Sequence, residues 1–167
     1  GVDRLERVRI LGAGATARSA VAAVAEMGAV SIVVHARRPE AADEVVRLAR
    51  DLGCSSRGPD LDVQWGEDDL LISTLPADAG APWAAALDAD RIGHTALLDA
   101  SYHPWPTPLA QAWARHAPVA PVASGRDMLL WQAVDQVRLM TGAVTDANLA
   151  RVAQVMRSAL STDGSSP

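Results

Sequence analysis

The chain contains no lysine: all fifteen of its basic residues are arginine. No residue here can therefore act as a lysine general acid or base. Cysteine is nearly as scarce. The single Cys54 allows no intrachain disulfide and offers no metal cluster, which fits a reducing, cytoplasmic setting; it is read as an ordinary small residue rather than a nucleophile. No apolar run is long enough to span a bilayer, and no signal-peptide pattern opens the chain. A formal net charge of −5 gives no reason to expect nucleic acid or an anionic membrane as a partner. His35, His94, His103 and His116 lack metal-ligand spacing and are expected at the surface, so no metal is expected. The five tryptophans are too scattered for a nucleic-acid stacking surface and read as packing or interdomain contacts.

What is present is organised around one stretch. Val8-Arg9-Ile10-Leu11 is a short apolar run that ends in Gly12-Ala13-Gly14-Ala15-Thr16-Ala17 and passes directly into an alanine-rich helical pattern. Strand, Gly-x-Gly-x-x-Ala turn and helix in that order are expected for the first unit of a dinucleotide-binding domain. Gly12 would permit the sharp turn, Gly14 would let a pyrophosphate approach the backbone, and Ala17 is small enough for the helix to pack on the strand. Free N–H groups and the helix dipole then favour an anion at that helix start.

Further strands are expected at Ser31–His35, near Cys54–Trp65, at Leu70–Thr74, Thr95–Asp99 and Val119–Val122. Helices are expected at Thr16–Met27, from Pro39 to about Leu52, and at Trp83–Leu87 and Leu109–His116. A long amphipathic helix at Arg126–Thr141 and a last helix at Thr145–Leu160, with Thr145 as N-cap, would follow. Alternating strands and helices predict an α/β fold: a Rossmann-like, doubly wound, mainly parallel sheet with helices on both faces and two C-terminal helices. With no internal repeat and no dividing linker, residues 1–160 read as one nucleotide-binding domain and 161–167 as a disordered tail.

The end of the second strand bears on which nucleotide. An acidic side chain there would take the ribose hydroxyls of NAD. This sequence has His35-Ala36-Arg37-Arg38 instead, and two guanidinium groups suit a 2′-phosphate, so NADP is expected over NAD. The missing carboxylate also argues against S-adenosylmethionine as the ligand.

Four segments, in order over nearly the whole chain, resemble the C-terminal, nucleotide-binding domain of shikimate dehydrogenase. Gly12-Ala13-Gly14-Ala15-Thr16-Ala17-Arg18 is similar to the family's glycine turn. His35-Ala36-Arg37-Arg38-Pro39-Glu40-Ala41-Ala42 is similar to its Asn-Arg-Thr segment for the adenosine 2′-phosphate, with Ala36, Arg38 and Ala41 differing from the usual residues. Leu98-Asp99-Ala100-Ser101-Tyr102-His103-Pro104 followed by Thr107-Pro108-Leu109 resembles its Asp-x-x-Tyr-x-Pro-x-x-Thr-Pro-Leu. Gly125-Arg126-Asp127-Met128-Leu129-Leu130-Trp131-Gln132-Ala133, then Thr141-Gly142, resembles its Gly-x-x-Met-Leu-x-x-Gln-Ala and Thr-Gly. Ser73-Thr74-Leu75-Pro76 stands where the family usually has Asn-x-Thr-Pro, and Met140 replaces a common tryptophan.

The resemblance implies a domain that binds NADP(H) for the reduction of 3-dehydroshikimate to shikimate, in aromatic amino-acid biosynthesis. It implies cofactor contacts from Gly12, Ala13, Gly14, Ala15, Thr16, Arg37, Arg38, Thr74, Leu75 and Met128, and substrate contacts from Tyr102 and Gln132. The family's catalytic lysine and aspartate lie in a separate N-terminal domain, so no catalytic residue is expected in this chain, which by itself is expected to be inactive. Expected partners are shikimate or 3-dehydroshikimate through that missing domain and, for assembly, a second copy of the chain. A non-catalytic nucleotide-sensing or scaffold module, and a quinate or aminoshikimate dehydrogenase variant, stand as alternatives.

Overall fold

Short apolar runs become the strands β1 (Arg7–Leu11), β2 (Ser31–His35), β3 (Ser55–Arg57), β4 (Leu70–Ser73), β5 (Ala96–Asp99) and β6 (Val122–Ser124). They are seen in a computed structural model that describes residues 5–58 and 65–162. All pair in parallel, in the order β3-β2-β1-β4-β5-β6. Chain direction across the sheet reverses between β1 and β4, and ligands of such sheets bind beyond the carboxyl ends of the strands at that switch point. The expected doubly wound α/β architecture is what forms.

Two compact units make up the chain, one ending at Ser124 and the other beginning at Gly125. In the first, the sheet is buried on both faces, so its central strands are nearly continuous apolar runs. Val8, Ile10, Ile32, Val34 and Ile72 point to one face, where they pack with Ala17, Val21 and Val24 of α1 (Ala15–Glu26). Ala42, Val45, Val46 and Ala49 join them from α2 (Pro39–Asp51), at the i, i+3, i+4, i+7 spacing of a helix stripe. Leu11, Leu71 and Leu97 point to the other face, with Trp65 and with Leu109 and Trp113 of α5 (Pro108–His116). Two short helices, α3 (Ala81–Ala85) and α4 (Ala89–Ile92), lie between β4 and β5, with a 3₁₀ turn at Ala77–Gly80 before them.

The second unit is a helix pair, α6 (Gly125–Thr141) and α7 (Leu149–Thr162), around Leu130, Val134, Val144 and Ala153. Arg157 to Asp127 at 2.6 Å and Arg138 to Asp146 at 3.0 Å are its ion pairs among the described residues.

Three local expectations are corrected. The last strand is Val122–Ser124, not Val119–Val122. Pro121 has no N–H to donate, so pairing with β5 begins at its carbonyl, which accepts from Leu97 N at 2.9 Å, and Val119 stays exposed. The final helix starts at Leu149 rather than Thr145, because Asn148 turns the chain first: its Oδ1 accepts from Thr145 N at 2.8 Å. The long helix α6 lacks the clean two-sided pattern expected of it. Leu129, Trp131, Val137, Leu139 and Met140 are all exposed in it. Helix α7 runs through Thr162, and the rest of the expected disordered tail lies outside the described residues.

Candidate functional site

The glycine turn stitches three strand ends together. Gly12 N donates to the carbonyl of His35 at the end of β2, at 2.8 Å. Thr74, just past β4, donates both its N–H (2.8 Å) and its Oγ1 hydroxyl (2.9 Å) to the carbonyl of Leu11. Gly12 sits at φ +110, and a Cβ there would stand 2.2 Å from Thr74 Oγ1, so no side chain fits. Gly14 differs: a Cβ added to it would meet nothing within 4 Å. It caps α1 with backbone only, and the first turn of that helix carries no acidic residue. The partly positive end of α1 is thus left open to an anion.

A cavity of about 610 Å³ lies against this corner. Gly12, Ala13 and Gly14 form one part of its lining, Arg37 and Arg38 a second, and Thr74 and Leu75 a third. Seven of the expected cofactor residues therefore share one cavity. Ala15 and Thr16 are exposed in the first turn of α1 and do not line it. Both arginines are exposed, and no carboxylate stands in the lining among the described residues. Small apolar residues, including Ala36, Ala41, Ala79 and Pro82, make up much of the remaining wall.

His35 is a correction. It was expected at the surface with the other histidines, which are exposed, yet it is only 2% exposed. Its position in β2 opposite Leu11 puts its side chain on the same face as Arg9, two residues back along β1. Arg9 is equally buried and lies with Nη1 2.6 Å from His35 Nε2 and Nε 2.7 Å from Asp68 Oδ2. A guanidinium only donates, so His35 Nε2 must accept; the tautomer is assigned from that bond. The Arg9 guanidinium also lies 5.7 Å from the ring centroid of Trp65.

Tyr102 sits in the loop between β5 and α5, 60% exposed. The loop is anchored beneath it. Buried Asp99 accepts from Thr107 Oγ1 at 2.6 Å and from Ser101 N at 3.1 Å, while Ser101 Oγ donates to Leu75 O at 3.1 Å. Thr107 in turn caps α5 by accepting from Ala110 N at 3.1 Å. In the second unit, Met128 is half-buried and Gln132 exposed, both on the first half of α6.

No family model matches the chain. Individual proteins do. A curated shikimate dehydrogenase (NADP(+)) from Methanococcoides burtonii is 33% identical over 154 residues, 89% of this chain and 55% of its own length. One from Geobacter metallireducens is 30% identical over 144 residues, 81% of this chain and 50% of its own. The crystal structure of Mycobacterium tuberculosis shikimate dehydrogenase superposes with a TM-score of 0.79 at 34% identity, covering 94% of this chain and 57% of that one. By sequence and by fold, the chain is similar to one half of the shikimate dehydrogenases. A Mycobacterium fortuitum shikimate 5-dehydrogenase agrees, with a TM-score of 0.75 at 38% identity over 89% of this chain and 55% of that one. The chain spans about half the length of the curated relatives it matches, and it corresponds to their C-terminal part. At 22% identity, a Corynebacterium glutamicum quinate dehydrogenase in complex with NAD shares the fold, with a TM-score of 0.72 over 93% of this chain and 56% of that one.

Three of the four segments that resemble shikimate dehydrogenase lie in the first unit, at the glycine turn, the end of β2 and the loop after β5; the fourth opens the second. Residues outside those segments were missed. Asp68 and Trp83 carry no motif, and Arg9 was read only as part of an apolar run. A signal did exist: an arginine in the middle of a buried parallel strand needs a charge partner, and Asp68 precedes the neighbouring strand.

Proposed function

We propose that the chain is the NADP(H)-binding domain of a shikimate dehydrogenase-like oxidoreductase. The observation that carries this reading is the single cavity lined by the glycine turn, by Arg37 and Arg38, and by Thr74 and Leu75. Its features suit a dinucleotide phosphate. The open backbone at Gly14 and the uncapped start of α1 suit a pyrophosphate. Two exposed guanidiniums with no carboxylate beside them in the lining suit a 2′-phosphate better than a bare ribose hydroxyl.

When bound, the nicotinamide supplies or accepts a hydride. The chain's own residues bind and orient. Gly12 shapes the turn, Arg37 and Arg38 hold the 2′-phosphate, and the loop after β4 borders the nicotinamide ribose. By resemblance to the family, Tyr102 and Gln132 are the residues assigned to shikimate or 3-dehydroshikimate, and Met128 is the one assigned to the nicotinamide. The resemblance assigns the proton that accompanies the hydride to a lysine and an aspartate of a separate N-terminal domain, and this chain holds no lysine. The isolated chain therefore binds cofactor without turning over shikimate.

Titration with NADP and with NAD tests the reading. Tighter binding of NADP is expected, and Arg37→Ala should weaken NADP by about 1–3 kcal/mol while barely changing NAD. Equal affinity for the two cofactors, or an equal loss in the variant, would contradict the phosphate assignment.

A further inference from the structure

Trp83 enters the cavity wall from α3, far in sequence from the glycine turn and from the arginine pair. It is half-buried, and its indole is fixed on two sides. The His35 ring meets it edge-on, with centroids 5.0 Å apart and planes at 73°. Trp65 meets it at 6.1 Å and 81°, and Trp65 is itself wedged against Trp113 at 5.9 Å. Trp65 is held further by its Nε1–H, which donates to the carbonyl of Ala86. His35 cannot swing away, because its Nε2 accepts from Arg9, and Arg9 is tied to Asp68. A chain of contacts thus runs from a buried ion pair to an aromatic ring on a ligand-sized cavity.

We propose that Trp83 is the face on which the planar purine base of an adenine nucleotide rests, and that Arg9 and His35 are positioning residues that keep it there. The proposal rests on the nucleotide reading of the cavity. A flat base gains most from a flat, polarisable partner whose rotamer is already fixed, since little conformational freedom is lost on binding. Pro76, Ala79 and Pro82 line the same cavity as Trp83 and add small apolar groups suited to an uncharged ring. Burying a guanidinium in a parallel strand is costly, and supporting a binding surface gives that cost a purpose.

Binding and intrinsic fluorescence test this with NADP, NAD, 2′,5′-ADP and nicotinamide mononucleotide. Trp83→Leu should weaken the first three by about tenfold alike and leave nicotinamide mononucleotide unchanged, and Trp83→Phe should recover most of the loss. His35→Gln keeps an acceptor for Arg9 but removes the ring edge, and should weaken the same three ligands by several-fold. In the wild type, 2′,5′-ADP should quench tryptophan emission; Trp83→Phe should abolish that quenching although four tryptophans remain. If the wild type binds NADP while folded Trp83→Leu and His35→Gln keep its affinity and Trp83→Phe keeps its quenching, the proposal is overturned and the nucleotide reading stands. If the wild type binds no adenine nucleotide, both fall.

Discussion

Gly12→Ala isolates what the glycine turn demands. Two effects add. An alanine at φ +110 occupies backbone space that side chains avoid, at about 1–3 kcal/mol. Its Cβ would also stand 2.2 Å from Thr74 Oγ1, forcing the threonine to another rotamer. That rotation breaks the 2.9 Å bond to Leu11 O, a net loss of about 1 kcal/mol. The single variant should therefore unfold in urea with a stability lower by about 2–4 kcal/mol. Thr74→Ala alone should cost about 1 kcal/mol, the same hydrogen bond. In the double variant that bond is lost only once and the clash is gone, since the next nearest atoms stand at 3.5 Å. Its destabilisation should fall short of the sum of the singles by about 1 kcal/mol or more. Strict additivity would show that Thr74 does not press on Gly12, and a loss below about 1 kcal/mol in Gly12→Ala would refute the account of the turn.

Gly14→Ala should behave in the opposite way. With nothing within 4 Å of the added methyl, stability should stay within about 0.5 kcal/mol of wild type while NADP affinity drops, as titration would show. Arg9→Leu leaves Asp68, whose side chain is 9% exposed, without its charge partner and should cost about 3–5 kcal/mol; Arg9→Leu with Asp68→Leu should be markedly less damaging, and equal losses in urea melts would argue against the pair. Thr107→Val removes both the cap of α5 and the partner of buried Asp99, for about 2–4 kcal/mol, whereas Thr107→Ser should retain most of the stability by the same assay.

Sequence reasoning served best where one physical rule dominates. Ser31–His35 was placed to the residue because a β-branched run between a helix stop and a proline has few alternatives. Helix α2 was placed within a residue through its Pro39 start and its regular apolar stripe. The 3₁₀ turn, α4 and the true span of α3 are four or five residues each, too short for a periodic pattern to register. The cavity was half legible. Its glycines and arginines belong to a local motif, but Trp83 reaches it only through tertiary packing, and His35 is buried by a partner 26 positions away. No window along the chain contains that pairing.

The helix pair after Ser124 is held by very few enclosed side chains: Leu130, Val134, Val144 and Ala153 are its whole sealed interior among the described residues. Such a segment opens to solvent more readily than a sheet clad on both sides, and its backbone amides should trade deuterium first. Its four arginines, Arg126, Arg138, Arg151 and Arg157, are all exposed, so in a chain without lysine they are the places where trypsin would pare this end away. The residues expected to greet nicotinamide and substrate from this side, Met128 and Gln132, thus ride on that sparsely sealed helix pair.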